Sequence, residues 1–444
     1  MSRSYKHLYL PIEESARELD ARLLLVIAAM QKGYRVVIGQ QWLMINSLQN
    51  LMPGIVFFKG SNKVQSSWMK FANKHGHKIV AIDEEVTAIA DRRFVLKEVW
   101  PESLPLIDRF FLQGQNQFNI YADAFPDFCD RFTITGNPRF DLLRKEFTKA
   151  FDPEIMEYRK RFGKYILINT NFGYVNTAWG APENFVNVCE NVGYIDRNDP
   201  QDKEFLDDFY DLETLNMAGF KVMMRKLRDR FPDHQIVLRP HPAEDLATWQ
   251  KAMSGEERIH IVFEGSAVPW MLGADFFIHN TCTTGTEAMV LGAPVAAYAY
   301  YTNWVETIFL SNLVTPVFRR LDDLFAAVDA GIKDRKGSID SIRQDRDAIL
   351  RDHISGLDRK LATASIFQSI DSLDVELSSG SIYRDGERLG AEFKRSDYQR
   401  KKIDLSLKDL NQKLTNIVSA MGIGFSAKTE KIGDSLFLIS AVDE

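Results

Sequence analysis

At 444 residues the chain is too long for one ordinary core and fits two α/β domains with a further segment. Its net charge of −6, with acids and bases interspersed, argues against a nucleic-acid partner, which needs a basic face to release counterions. Apolar residues make up 45%, yet no apolar run reaches the length of a membrane span, and three widely spaced cysteines (Cys129, Cys189, Cys282) suit neither a disulfide framework nor a zinc cluster.

In chain order, residues 7–12 form an apolar run read as a strand that starts without a secretory apolar stretch before it. Leu19, Leu23, Ile27 and Met30 then recur near helical spacing until Gly33. Strands are expected over 35–39, 54–58 and 78–82, with a helix over 63–74, and further strands over 109–112 and 132–135. This βαβ rhythm predicts a parallel sheet wrapped by helices. Gly136-Asn137-Pro138 interrupts it, a charged helical stretch follows over 141–162, and a second series opens with a strand over 164–169. Residues 173–208 are polar and read as a loop over a cleft. A helix over 209–230 leads to strands over 235–238, 259–262, 275–278 and 294–298, with helices over 268–273 and 284–291. Residues 320–375 look helical, and the tail carries a helix over 401–421 and a strand over 435–440. The expected organisation is a Rossmann-like domain over 1–160, a second over 161–375 with crossover helices, and an α+β appendage over 376–444.

The residues with chemical promise sit where strands should end. Arg239-Pro240-His241-Pro242 follows one strand, and the prolines stiffen a turn that carries an imidazole to the sheet edge. Asn280 to Ala288 follows another: small polar residues, then a helix whose free amides, with the Thr283 and Thr284 hydroxyls, can cradle a phosphate. Gly285 would permit close approach, and Glu287 would accept from ribose or base. The same residues would also make an ordinary helix cap with Glu287 closing a capping box. Asp83-Glu84-Glu85 ends a strand of the first domain, and adjacent carboxylates there suit proton transfer or nucleophilic attack. Glu13-Glu14-Ser15-Ala16-Arg17-Glu18 opens the first helix, where Ser15 and Glu18 fit a capping box. Asn169, Asn171, Glu264 and Gly136-Asn137-Pro138-Arg139 are further strand-end residues, of types that also build turns. No dinucleotide fingerprint, phosphate-loop motif or metal-ligand spacing occurs, so no metal is expected.

Arg239-Pro240-His241-Pro242, Asn280 to Ala288 and Leu291-Gly292-Ala293-Pro294-Val295 resemble glycosyltransferases of GT-B type from bacterial capsule and surface-carbohydrate biosynthesis. That group includes Kdo transferases and, more distantly, sialyl- and polysialyltransferases. The resemblance spans about residues 5–300, and its acid-acid, His-Pro and Ser/Thr motifs match Asp83-Glu84, His241-Pro242 and Thr283-Thr284. Glu85 stands where the sialyltransferases carry glycine.

The resemblance implies two Rossmann-like domains facing a cleft and a CMP-activated sugar acid, CMP-Kdo foremost, as donor substrate with no other cofactor. The acceptor would be a glycan or a lipid-linked sugar, and the setting cytoplasmic, with peripheral attachment to the inner membrane compatible. Arg239, His241, Pro242, Asn169, Asn171, Glu264, Asn280, Thr283, Thr284, Gly285 and Glu287 would then hold the donor. Asp83, Glu84 and Glu14 would supply acid–base or nucleophilic chemistry, Arg17 would pair with the sugar carboxylate, and His241 would stabilise the leaving phosphate. Similar architecture also serves UDP-sugar 2-epimerases and CDP-glycerol glycerophosphotransferases, and a non-catalytic scaffold protein remains the rival outside enzymes.

Overall fold

The computed structural model describes residues 4–358, 360–384, 394–424 and 426–442. The chain divides into two compact units. One comprises residues up to Glu84, Glu98–Ala150 and everything from Ile354 onward; the other comprises Glu85–Lys97 and Phe151–His353.

The first unit is built on β1 (Ser4–Ile12), β2 (Tyr34–Gln40), β3 (Ile55–Phe58), β4 (Lys78–Ile82), β5 (Arg109–Leu112) and β6 (Phe132–Ile134). These lie parallel in the order β2-β1-β3-β4-β5-β6, so the direction of winding reverses between β1 and β3. Strands that are apolar on both faces, such as the wholly buried Ile55–Phe58, require cover on both sides, as a parallel sheet supplies.

The second unit carries β7 (Tyr165–Asn169), β8 (Gln235–Arg239), β9 (Ile259–Ile261), β10 (Phe276–His279), β11 (Val295–Tyr298) and β12 (Val317–Phe318). All pair in parallel in the order β12-β11-β10-β7-β8-β9. This is a Rossmann-type order whose reversal falls between β7 and β10. Phe172, Phe220, Trp249 and Ile278 are among the buried side chains packed on this sheet.

Three stretches differ from expectation. The division falls at Ala150/Phe151 rather than near 160, because the Asp152–Phe162 helix packs on the Ala267–Gly273 helix, with Tyr158 stacked on Trp270 at 3.7 Å. Residues 173–208 are not one irregular loop: they hold the Pro182–Asn191 helix and the first turns of a single Pro200–Arg230 helix, capped by Asp199 with proline at its start. In the C-terminal α+β segment, β14 (Ala427–Gly433) and β15 (Leu436–Ala441) form an antiparallel hairpin, and β15 pairs with β2, so these strands extend the first sheet. Between them in chain order and β12 lies β13 (Ser378–Ser379), which pairs with the start of β1. Among the described residues no helix is long and apolar enough to cross a membrane.

Candidate functional site

In open α/β sheets, ligands gather beyond the carboxyl ends of the strands where winding reverses. In the second unit that edge is level: His279, Asn169 and Arg239 are register partners across β10, β7 and β8. Neighbouring strands lie about 4.8 Å apart, so the turns after β8 and β10 start about 10 Å from each other with the β7 loop between them. Side chains join the β7 loop to the loops after β8 and β10: Thr170 donates to Glu244 of the β8 loop at 2.7 Å. Asn169 donates to the Thr284 hydroxyl at 3.2 Å. Asn280 accepts from the Asn171 amide at 2.8 Å and donates to its carbonyl at 3.3 Å. The sequence-predicted Asn169, Asn171, Asn280 and Thr284 therefore form two bonded pairs between the same two loops, and Asn169 keeps a buried Oδ1 without a hydrogen-bond partner.

The helix after β10, Thr283–Leu291, begins differently from the expected cap. Its N-cap is Cys282, and no side chain caps it. Thr284 donates instead to the Cys282 sulfur at 3.0 Å. The turn into this helix passes through Thr281 at φ 41°, a left-handed conformation that a β-branched residue adopts only under constraint. Gly285 is required by a side chain: a Cβ there would crowd the His279 ring. His279 is fully buried, and burial pulls its pKa down to about 3, so the ring is neutral. Its Nε2 meets the Thr315 hydroxyl at 3.0 Å. Thr315 spends its own proton on the Ser311 carbonyl, so His279 must donate through Nε2. Glu287 is buried in the first turns of the helix. Thr283 is half-buried at the tip.

Arg239 lies near this helix tip, within electrostatic reach of Cys282 and Glu287, and His241 follows it in the β8 loop. Burial works against the Arg239 charge, while Tyr158, Cys282, Glu264 and Glu287 around it favour the charged form. One guanidinium nitrogen donates to the Glu264 and Gly265 carbonyls at 3.2 and 2.8 Å, and Nε is buried without a hydrogen-bond partner. The Glu264 carboxylate itself is exposed and paired with Arg161 at 2.6 Å, so this residue meets Arg239 through its backbone. His241 is half-buried, and its Nδ1 accepts from the Ala243 amide at 3.2 Å. In the neutral ring that bond places the proton on Nε2, which makes Nε2 a donor. Pro242 holds the same turn, half-buried.

The corresponding edge of the first unit is ionic. Glu18 accepts from the Glu13 and Glu14 amides at 3.1 and 3.2 Å. The capping box expected of Ser15 does not form: the N-cap is Glu14, and Ser15 donates to the Lys402 carbonyl at 3.2 Å. Lys59 bonds Glu13 at 2.6 Å and Glu18 at 3.3 Å, and Lys402 from the C-terminal segment also bonds Glu13. Burial pushes the Glu13 carboxyl up, but these two lysines win and hold it well below the usual carboxylate range. Glu14 goes the other way: burial raises it, against the pull of the half-buried Arg17 and of Lys402. Asp83 is buried, and its carbonyl accepts from Gln113 at 2.6 Å. Glu84 is engaged by Asn137 at 3.0 Å and by the buried Arg22 at 3.8 Å. Among the described residues no group of His, Cys, Asp and Glu is arranged to hold a metal ion.

Glu244 escaped the sequence reading. It stands two residues beyond Pro242 and looks like a solvated loop acid, yet it is 5% exposed and bonded both to the β7 loop and back to its own turn. The one local signal was its spacing of three from His241, which turns an acid back toward the turn.

No protein-family model and no curated protein matches the chain. Solved structures do. A proposed UDP-N-acetylglucosamine 2-epimerase from Listeria monocytogenes is 15% identical with a TM-score of 0.51, covering 83% of this chain and 96% of its own. The UDP-GlcNAc 2-epimerase of Neisseria meningitidis bound to UDP-GlcNAc is 13% identical, TM-score 0.49, covering 83% and 100%. The wall teichoic acid polymerase TagF is 14% identical, TM-score 0.47, covering 82% and 87%. The likeness to the Listeria protein, at this identity, is one of fold: this chain has two Rossmann-like α/β domains of the GT-B type.

Proposed function

We propose that the chain is an enzyme that processes a nucleotide-activated sugar for surface-glycan synthesis, with the nucleotide phosphate bound at the winding reversal of the second sheet. The observation that carries this reading is the joining of three loops there: Asn169 to Thr284 and Asn171 to Asn280 tie the β7 loop to the β10 loop, and Thr170 to Glu244 ties it to the β8 loop that carries Arg239 and His241. Cleaving a sugar from its nucleotide builds negative charge on the departing phosphate. The uncapped amides of the Thr283–Leu291 helix, the Arg239 guanidinium and the His241 Nε2 proton would stabilise that charge where water is scarce. Glu14, with its raised pKa, is the first unit's best candidate for carrying a proton, since Glu84 is held by Arg22 and Asn137.

The narrower choice is the donor. A UDP-sugar 2-epimerase reading draws on the fold neighbours and on Glu85, which departs from the acid-acid-glycine pattern of CMP-sugar enzymes. Transfer of Kdo from CMP is the second reading, favoured by the His241-Pro242 and Thr283-Thr284 matches. Calorimetric titration with UDP, CDP and CMP separates them. UDP preference supports the epimerase and CMP preference the sugar-acid transferase. CDP preference turns the reading to glycerophosphate transfer, and binding of none leaves a scaffold protein. Turnover of the matching donor, followed by NMR, should fall at least about a hundredfold in His241→Ala through lost leaving-group stabilisation. Near-normal turnover would take His241 out of the mechanism.

A further inference from the structure

Four hydrogen bonds end on the Glu244 carboxylate, and every one arrives from a donor. Oε1 accepts from the Thr170 hydroxyl at 2.7 Å and from the His241 amide at 2.9 Å. Oε2 accepts from the indole Nε1 of Trp249 at 2.8 Å and from Asn176 Nδ2 at 3.3 Å. An ionised carboxylate has acceptor sites for four such bonds and no proton to set against them, whereas an amide or a protonated acid faces part of the set with a donor of its own. Around this centre the β7 loop lies along the β8 loop: Ala178 donates to the Ala243 carbonyl and Asp245 to the Asn176 carbonyl, both at 2.7 Å. From the other side Glu213, on the Pro200–Arg230 helix, accepts from the Tyr174 and Val175 amides at 3.0 Å each.

We infer that Glu244 is the positioning residue of the nucleotide site, fixing the His241 turn to the Asn169–Asn171 loop so that imidazole and asparagine network address the same phosphate. This inference rests on the nucleotide-sugar reading of the second sheet. Glu244 need not touch the ligand: it acts through the His241 amide and the Thr170 hydroxyl.

The titratable groups packed around it are Glu213 from the helix, whose carboxyl is held well above the usual carboxylate range by burial and by Glu244, and His241 and Asp245 on its own loop. Burial raises the Glu244 pKa, against the pull of its bonds to Trp249, Thr170 and the His241 amide. As pH falls through that raised value the carboxyl takes a proton, a donor meets a donor, and the His241 turn loosens.

The test is calorimetric nucleotide binding by the full chain, using whichever of UDP, CDP and CMP the wild type prefers, with thermal melts alongside. Glu244→Gln sets an amide nitrogen against two of the four donors and should weaken binding about tenfold at neutral pH. The wild-type advantage should shrink as pH is lowered and wild-type Glu244 itself takes up a proton. Thr170→Val, which removes one donor and keeps the carboxylate, should weaken binding about threefold with little change in melting; it carries the test if Glu244→Gln does not fold. Unchanged affinity in both variants, or a ratio that does not move with pH, overturns the positioning role while leaving the nucleotide reading standing. Failure of the wild type to bind any of the three overturns the reading and the inference together.

Discussion

Neither the helix that follows β1 nor the one that follows β10 has a side-chain cap, but in the first Glu18 reaches back to take up the amides of Glu13 and Glu14 just ahead of the helix. The helix that follows β10 in the second sheet starts at Cys282 with no side-chain cap. Around the first end, Lys59 and Lys402 neutralise Glu13 and Glu18; around the second, the partners are amides, hydroxyls and one buried guanidinium. Both ends lie beside a winding reversal, the place where an α/β sheet offers its helix dipoles to a ligand. The difference teaches that topology supplies the location of an anion site, and side chains decide whether it is kept open or filled from within.

The largest effect that should separate the two units is acid. His279 lies under the second unit's helix tip with its pKa at about 3, while His7 and His77 are held at about 4, chiefly by burial, in the first unit. Each lies below the ordinary 6.5 of an unfolded histidine. Between the two values the unfolded chain therefore binds more protons than the native one. Stability contributed by the neutral rings is complete above about pH 6.5 and is lost as pH falls toward the folded values, on the order of 3 kcal/mol per ring. His7 and His77 adjoin the Ser378 hydroxyl and the Leu48 carbonyl, whereas His279 underlies Gly285. Denaturant melts from about pH 7 to about pH 5 should show falling stability in both units, and hydrogen exchange should find the Thr283–Leu291 helix loosening before the helix after β1. Stability that is flat across that range would mean the rings are not buried neutral.

Two crowded glycines sharpen the comparison. A Cβ at Gly285 meets the His279 ring at 2.4 Å, and one at Gly39, where φ is 145°, meets the Ser435 carbonyl at 2.0 Å. Gly285→Ala and Gly39→Ala should each cost about 2 kcal/mol in a denaturant melt. Only the first should also weaken nucleotide binding, because it pushes the helix tip off its ring. Equal loss of binding in both would break the distinction between the edges. The smallest effect belongs to Glu18→Gln, which weakens the bonds to the Glu13 and Glu14 amides and the pair with Lys59: about 1 kcal/mol of stability, with nucleotide affinity unchanged.

Much of the second sheet was legible because its strands are short apolar runs between turn residues: expectations of 235–238 and 275–278 met strands Gln235–Arg239 and Phe276–His279. The strand-end asparagines were legible for the same reason. What escaped was whatever depends on distant partners. Glu244 is buried because Thr170 and Trp249 reach it, which no local pattern announces. Lys402 joins Glu13 across 389 residues. The acid-rich start of the Pro200–Arg230 helix reads as loop until one notices that Asp202 is neutralised by Lys97 and Arg93, from the excursion that leaves the first unit's sequence at Glu85. Gly285 was singled out for a ligand, and its neighbour turned out to be a side chain of the protein itself.

The interleaving of the two units in sequence sets an order of manufacture. Every residue of the second unit has been synthesised once His353 is made, whereas the first still awaits Ile354 onward, including the hairpin that pairs with β2. On the ribosome, the half that begins later in the chain is complete earlier, and the open flank of β2 waits for the last stretch of polypeptide to cover it.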